Sequence, residues 1–334
     1  MTRREALATL LAGLAAGRAC AWPLPRPAWA PGEFEPRRLH RIEWGGVHVY
    51  QTAFSPGGDL CLGVGDAGAV RVWDTRRGTL VREVPAAGAL FLPDGRRLVT
   101  WRGRAVAVLA LATGKEEARR DEAAAVAALA VAPDGQRMAC ALEGGRVRVG
   151  KLGGGGPQDV QLQEPANAAA LAFGPDGRRL LTASEGDRTV RLWDAATGKP
   201  IRRVHDFQGA APVPGNNLVL TPAFVGDGGR VAVCAWGKEK VLRLWDAATG
   251  APVLTRQLEA DHHKDAALSP DGRWLATAHE DRTVRVRAVA SGEELWREEL
   301  PEVYVPRAPS WSPDGRFLMA GSHRGWVYVW RLLR

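Results

Sequence analysis

The sequence predicts an all-β fold assembled from seven copies of one four-stranded antiparallel unit, and three observations carry that prediction. The first is a recurring turn. Pro-Gly-Gly starts at Pro56, Pro-Asp-Gly at Pro93, Pro133, Pro175, Pro270 and Pro313, and Gly-Asp-Gly at Gly226, at spacings of 37 to 51 residues. Proline pre-sets φ, glycine tolerates positive φ and aspartate bonds its own backbone, so each tripeptide closes a hairpin. The second observation is a pair of strand-like runs after each turn. Behind Pro175-Asp176-Gly177 stand Leu180 to Ser184 and Thr189 to Trp193, apolar or β-branched runs of strand length, the latter ending in Trp-Asp. The third is the period near forty residues, which with two hairpins per unit leaves no room for a helix. Units of this kind arranged radially make a seven-bladed β-propeller.

Taken in order, each unit opens on an apolar strand before its turn, as in Gln51 to Phe54, Val126 to Val131 or Ala308 to Trp311. The strand that would stand third in each sheet is Val70 to Trp73, Val106 to Leu109, Val147 to Val149, Val190 to Trp193, Val241 to Trp245, Val284 to Val286 and Val327 to Trp330. A fourth strand completes most units, for instance Leu80 to Val84 and Pro252 to Leu258. The seventh unit runs out after its third strand. A ring must tie its first and last sheets together or leave an open edge, so the missing outer strand is expected upstream. Arg38 to Trp44 fits, and is predicted to pair with Trp326 to Leu332.

Ahead of this strand the chain reads differently. Thr2-Arg3-Arg4 leads into an apolar run from Ala6 to Ala16, too short to span a bilayer as a helix, and then to Ala19-Cys20-Ala21. A basic start, a short apolar stretch and a small-residue triplet make a secretory signal of bacterial type over residues 1–21. The paired arginine resembles the twin-arginine export signal, which implies a periplasmic or secreted protein, with a cytoplasmic one as the alternative. Residues 22–37, rich in proline, are expected as an extended linker, and 38–334 as the propeller.

Composition excludes little. With 46% hydrophobic and 25% charged residues the chain suits a soluble globular protein, and its net charge of +8 comes from arginines interleaved with acids. Nucleic acid is therefore disfavoured as a partner. Thirteen tryptophans against three tyrosines is unusual. Cys61, Cys140 and Cys234 each fall in a second strand and are expected as small buried hydrophobes.

The Trp73-Asp74, Trp193-Asp194 and Trp245-Asp246 dipeptides, with the seven turns in register, carry a family resemblance: from Arg38 to Arg334 the chain resembles WD-repeat proteins. Leu109, Gly150 and Arg287 stand where that family has tryptophan, and Trp330 is followed by Arg331. The resemblance also implies a buried network of His, Ser or Thr, Asp and Trp in each blade. Thr182, Asp187 and Trp193 could supply it in the fourth unit, where Glu164 stands near the histidine position. Thr277 and Asp281 could in the sixth, with His262 near its place. No unit has the whole set, so the blades are expected to rely more on apolar packing.

No catalytic constellation is present: no GxSxG elbow, HExxH, phosphate loop or CxxC pair. Gly153 to Gly156 precedes no helix, and the two histidines of Asp261 to Asp265 would point to opposite faces of an extended chain. No catalytic residue, cofactor or metal site is expected. In WD-repeat proteins the loops between blades and those between second and third strands share one face. The resemblance thus implies a non-catalytic scaffold, expected as a monomer, that binds a protein or peptide there. Arginine and aromatic side chains most often anchor interfaces, which selects Trp101, Arg102, Trp236, His279, Arg324 and Trp326. The insertion at 205–221 is a further candidate loop. Two alternatives stand beside the scaffold. One is an exported quinoprotein- or lactonase-like propeller enzyme, although only Gly292 is followed at four residues by a tryptophan, Trp296. The other is a carbohydrate binder.

Overall fold

In a computed structural model of the chain, residues 35–153, 159–163, 167–184, 186–206, 220–235, 241–258, 263–301 and 305–333 are described. They form seven four-stranded antiparallel sheets. Blade 1 runs from the inner strand Val49–Phe54 through Leu60–Gly65 and Ala69–Asp74 to the outer strand Leu80–Pro85. Blades 2 to 7 begin at the inner strands Gly88–Phe91, Val126–Val131, Ala168–Phe173, Leu220–Val225, His263–Leu268 and Pro306–Trp311. Inner strands pack on one another around the axis, that of blade 7 against that of blade 1.

The ring is closed as the strand count requires. Glu35–Glu43 forms the outer strand of blade 7, antiparallel to Trp326–Leu333, with Arg38 opposite Trp330 and Glu43 opposite Trp326. It begins three residues before the linker boundary read from the sequence. A bulge between Arg38 and His40 shifts its register. Leu39 and Ile42 pack on an apolar cluster shared by blades 7 and 1, built on Trp44, Val49, Trp73 and Val329. Trp44 lies edge-on to Trp73 at 5.5 Å.

The blades alternate apolar residues toward both neighbours, so the core is a chain of clusters between sheets. Cys61, Cys140 and Cys234 are buried free thiols inside it. Burial pushes the thiols of Cys61 and Cys140 up to about 12, which leaves them protonated and unreactive.

A second device ties the blades around the circumference. Arg202 on the outer strand of blade 4 donates to the Ala248 carbonyl in the next blade's outer turn at 2.9 Å. Arg82 reaches the Leu111 carbonyl of blade 2 at 3.1 Å, and Arg256 reaches the Ala290 carbonyl of blade 6. His40, on the closing strand, contacts the Arg76 carbonyl of blade 1 at 2.6 Å. The glycine in each receiving turn makes room. A Cβ on Gly250 would sit 2.7 Å from Arg202, and one on Gly78 would sit 2.9 Å from His40. Both glycines also hold positive φ, so the position is doubly restricted.

The networks inside the blades follow the sequence reading in part. In blade 4, Trp193 Nε1 donates to Thr182 at 2.9 Å, while Asp187 takes the Thr189 hydroxyl at 2.7 Å and pairs with Arg191. In blade 6, Thr277 is bonded at 2.7 Å by His279, a residue of its own strand; His262 lies outside the described residues. Arg287, at a tryptophan position, pairs with Glu294 at 2.8 Å. Trp330 turns to the neighbouring blade and donates to Glu298 at 2.8 Å.

Candidate interaction face

Antiparallel order puts two kinds of loop at each end of a blade. The Pro-Asp-Gly hairpins and the outer turns lie at one end, the second-to-third-strand turns and the interblade links at the other. Backbone bonds confirm the second grouping: Ala86 donates to Gly68, Glu122 to Arg104 and Leu300 to Arg282, each from an interblade link to a turn.

At the hairpin end the turn aspartates are held by arginines and backbone amides of their own turns. The Asp176 carboxylate accepts the Arg178 amide at 2.8 Å and Arg179 Nε at 2.7 Å, and Asp94 and Asp134 repeat the arrangement. Burial works against these carboxylates, but the backbone and arginine hydrogen bonds outweigh it and hold all three below the ordinary aspartate range. Arg137 and Arg179 continue to the next blade, donating to the carbonyls of Gly177 at 2.8 Å and Gly228 at 2.9 Å.

Of the six residues selected from sequence, the five that are described lie toward the opposite, loop end in different ways. Arg102 is exposed and drapes over the turn of blade 1, where its guanidinium would meet a Cβ on Gly68 at 3.2 Å. Arg324 is exposed on the corresponding turn of blade 7. Neither makes an ion pair among the described residues. Trp326 is half-buried, with the Arg41 guanidinium 4.6 Å from its ring centre. Two others turn inward. Trp101 is 3% exposed, because Gly88 opposite it has no side chain and its indole fills that space. His279 is 2% exposed and held by Thr277. Both are packing residues in this structure, and alternation on a strand gave the sequence no means to see it. Trp236 lies outside the described residues, as does most of the 205–221 insertion. Arg102, His279 and Arg324 thus sit on three different blades and form no common cluster.

Two features at this end were not anticipated. Over the seam of blades 7 and 1, the rings of His48 and His323 stack with centroids 3.7 Å apart. Arg307 donates to His323 Nε2 at 2.9 Å, which puts the His323 proton on Nδ1. Burial, together with the Arg307 charge, holds His48 below the ordinary histidine range. The second feature is a pocket of about 330 Å³ between blades 2 and 3, lined by Arg104, Arg120, Arg146, Arg148, Glu122 and neighbours. Its floor is an ion cluster. Arg148 Nε donates to Glu122 at 2.9 Å, and Arg148 Nη1 lies 2.9 Å from Asp159. Burial raises the Asp159 carboxyl, but hydrogen bonds and charge from Arg120 and Arg148 bring it below its ordinary range. Gly150 explains the cluster. A Cβ there would lie 1.9 Å from the Asp159 carboxylate, so the residue missing from the tryptophan position leaves room for charges instead. Among the described residues, no three His, Cys, Asp or Glu side chains gather to hold a metal ion. Nor is any helix among them long and apolar enough to cross a membrane.

A seven-bladed propeller of four-stranded antiparallel blades is the class defined by this architecture. Three stretches of the chain, residues 164–194, 257–287 and 307–331, match the WD domain, G-beta repeat family. Among similar proteins, the target of rapamycin complex subunit wat1 of Schizosaccharomyces pombe is 28% identical over 190 residues, 44% of this chain and 57% of that protein. The LST8 homolog of Drosophila melanogaster is 28% identical over 44% of this chain and 58% of its own length. A guanine nucleotide-binding protein subunit beta of Zea mays is 29% identical over 44% and 40%. The chain therefore spans between 40% and 58% of the length of these relatives.

Proposed function

We propose that this protein is a non-catalytic WD-repeat scaffold that holds a protein or peptide partner on the loop end of its propeller. The observation that carries the reading is the pair of exposed guanidiniums, Arg102 and Arg324, which make no ion pair among the described residues on that end. Arginine is the charged residue most enriched at interface anchors, and here its fork is available to a partner. The relatives' names agree in kind: one is a subunit of a complex and another a beta subunit. Affinity capture with the chain from Trp22, repeated with Arg102→Ala and Arg324→Ala combined, tests it. Partners present with the first bait and absent with the second support the reading; an unchanged set of partners overturns it.

Export belongs to the same proposal. Residues 1–21 combine paired arginine, a short apolar run and a small-residue triplet. Fused to a reporter that is active only outside the cytoplasm, they are expected to give signal, and to lose it when Arg3 and Arg4 become lysine.

A further inference from the structure

We infer that the pocket between blades 2 and 3 is a recognition site for a carboxylate side chain of an acidic peptide. The inference deepens the loop-end reading and rests on it. Three features point to an anionic occupant. The first is charge balance. Four arginines line the pocket, and Glu122 and Asp159 neutralise only the two at its floor, Arg120 and Arg148. Asp121, the other acid on the wall, is 65% exposed and lies 3.9 Å from Arg119.

The second feature is the state of the two remaining cations. Arg104 is anchored, its Nε donating to the Glu122 carbonyl at 2.7 Å, which leaves its terminal nitrogens for a ligand. Arg146 is exposed and makes no ion pair among the described residues. Two guanidiniums at a rim, one fixed and one free to close, match the bidentate geometry a carboxylate accepts.

The third feature is the floor. Arg148 is 8% exposed and Glu122 is 2% exposed, so the pair is largely shielded from solvent, and burial weakens the screening of charges beneath the rim. The volume suits one side chain and its flanking backbone rather than a large cofactor. Leu142 and Gln161 complete the wall, an apolar surface for the methylenes and an amide for the backbone.

The test is fluorescence anisotropy of a labelled Glu-rich peptide against the full chain, with its Gln-for-Glu counterpart and inorganic phosphate as controls. The Glu peptide is expected to bind, the Gln peptide to bind at least about ten-fold more weakly, and affinity to fall at high ionic strength. Arg104→Gln and Arg146→Gln are each expected to weaken the Glu peptide by on the order of ten-fold, the loss of one charge-assisted bond. Both residues are exposed, so an unchanged melting midpoint will show that the fold is intact. Equal binding of the two peptides, or no change in the double variant, overturns the inference. So does phosphate binding without peptide binding, or no binding up to millimolar peptide. The two readings fail separately. A captured partner lost with the Arg102 and Arg324 changes, but retained in the Arg104 and Arg146 variant, sinks the pocket and keeps the face.

Discussion

Glu122→Gln is the sharpest probe of the blade 3 interior. The carboxylate is 2% exposed and faces Arg148, itself 8% exposed, through Nε at 2.9 Å and a second contact from Nη2. Arg120 Nε stands 3.3 Å away on the other side. Glutamine keeps the shape and removes the charge, so a buried guanidinium loses its main counter-ion. Removing one member of a buried pair costs roughly 3–5 kcal/mol. Asp159 remains 2.9 Å from Arg148 Nη1 and is 27% exposed, so it offsets part of the loss. The expected destabilisation is about 3 kcal/mol, at the low end of that range. Urea unfolding followed by tryptophan fluorescence and by far-ultraviolet circular dichroism reads it directly. Adding Arg148→Met to the variant should recover much of the loss, because no unpaired charge then stays buried. A Glu122→Gln chain within about 0.5 kcal/mol of the parent would refute the reasoning, since that is the range of surface substitutions.

Other outcomes rest on single contacts. Gly250→Ala is expected to lose clearly more stability than Gly103→Ala: both hold positive φ, but a Cβ at 250 would strike Arg202 at 2.7 Å and one at 103 meets nothing within 4 Å. Positive φ alone costs an alanine roughly 1 kcal/mol, so denaturation midpoints separate strain from collision. Trp193→Phe removes the donor to Thr182 at 2.9 Å and should cost about 1–2 kcal/mol by the same assay; an unchanged midpoint would mean that the bond is idle. Acid should weaken the fold through the turn aspartates. Asp94, Asp134 and Asp176 titrate below their unfolded values, so their contribution is present above the ordinary aspartate pKa and is lost as pH falls through it toward the folded values. Melting midpoints measured from neutral pH down to about pH 3 should fall, and Asp176→Asn should flatten that slope.

Much of the fold was legible in the residues because its information is local and repeated. Proline, aspartate and glycine set each hairpin, and seven turns in register set the blade count. The closing strand was legible by elimination, since a seventh sheet of three strands needs a fourth. The features that stayed hidden depend on partners distant in the chain. Trp101 is buried by the absent side chain of Gly88. His279 serves Thr277 from the same strand. Arg148 finds Glu122 across 26 positions of sequence. The signal for that cluster was Gly150 at a tryptophan position, readable as a vacancy but silent about its filling. Arg102 and Arg324 were recognisable as exposed because turns face water, and as lying on separate blades because they fall in different repeats.

The closed ring stands or falls with the strand Glu35–Glu43. Its ladder to Trp326–Leu333 and the half-buried Leu39 and Ile42 together contribute several kcal/mol, from partial burial of two large apolar side chains and a row of backbone bonds. The direct measurement is the unfolding midpoint of a chain beginning at Trp44 against one beginning at Trp22. A marked drop in the shorter chain is the result expected of a ring fastened by its own front end. Equal midpoints would mean that the seventh blade holds without this strand, and closure by the front of the chain would be wrong.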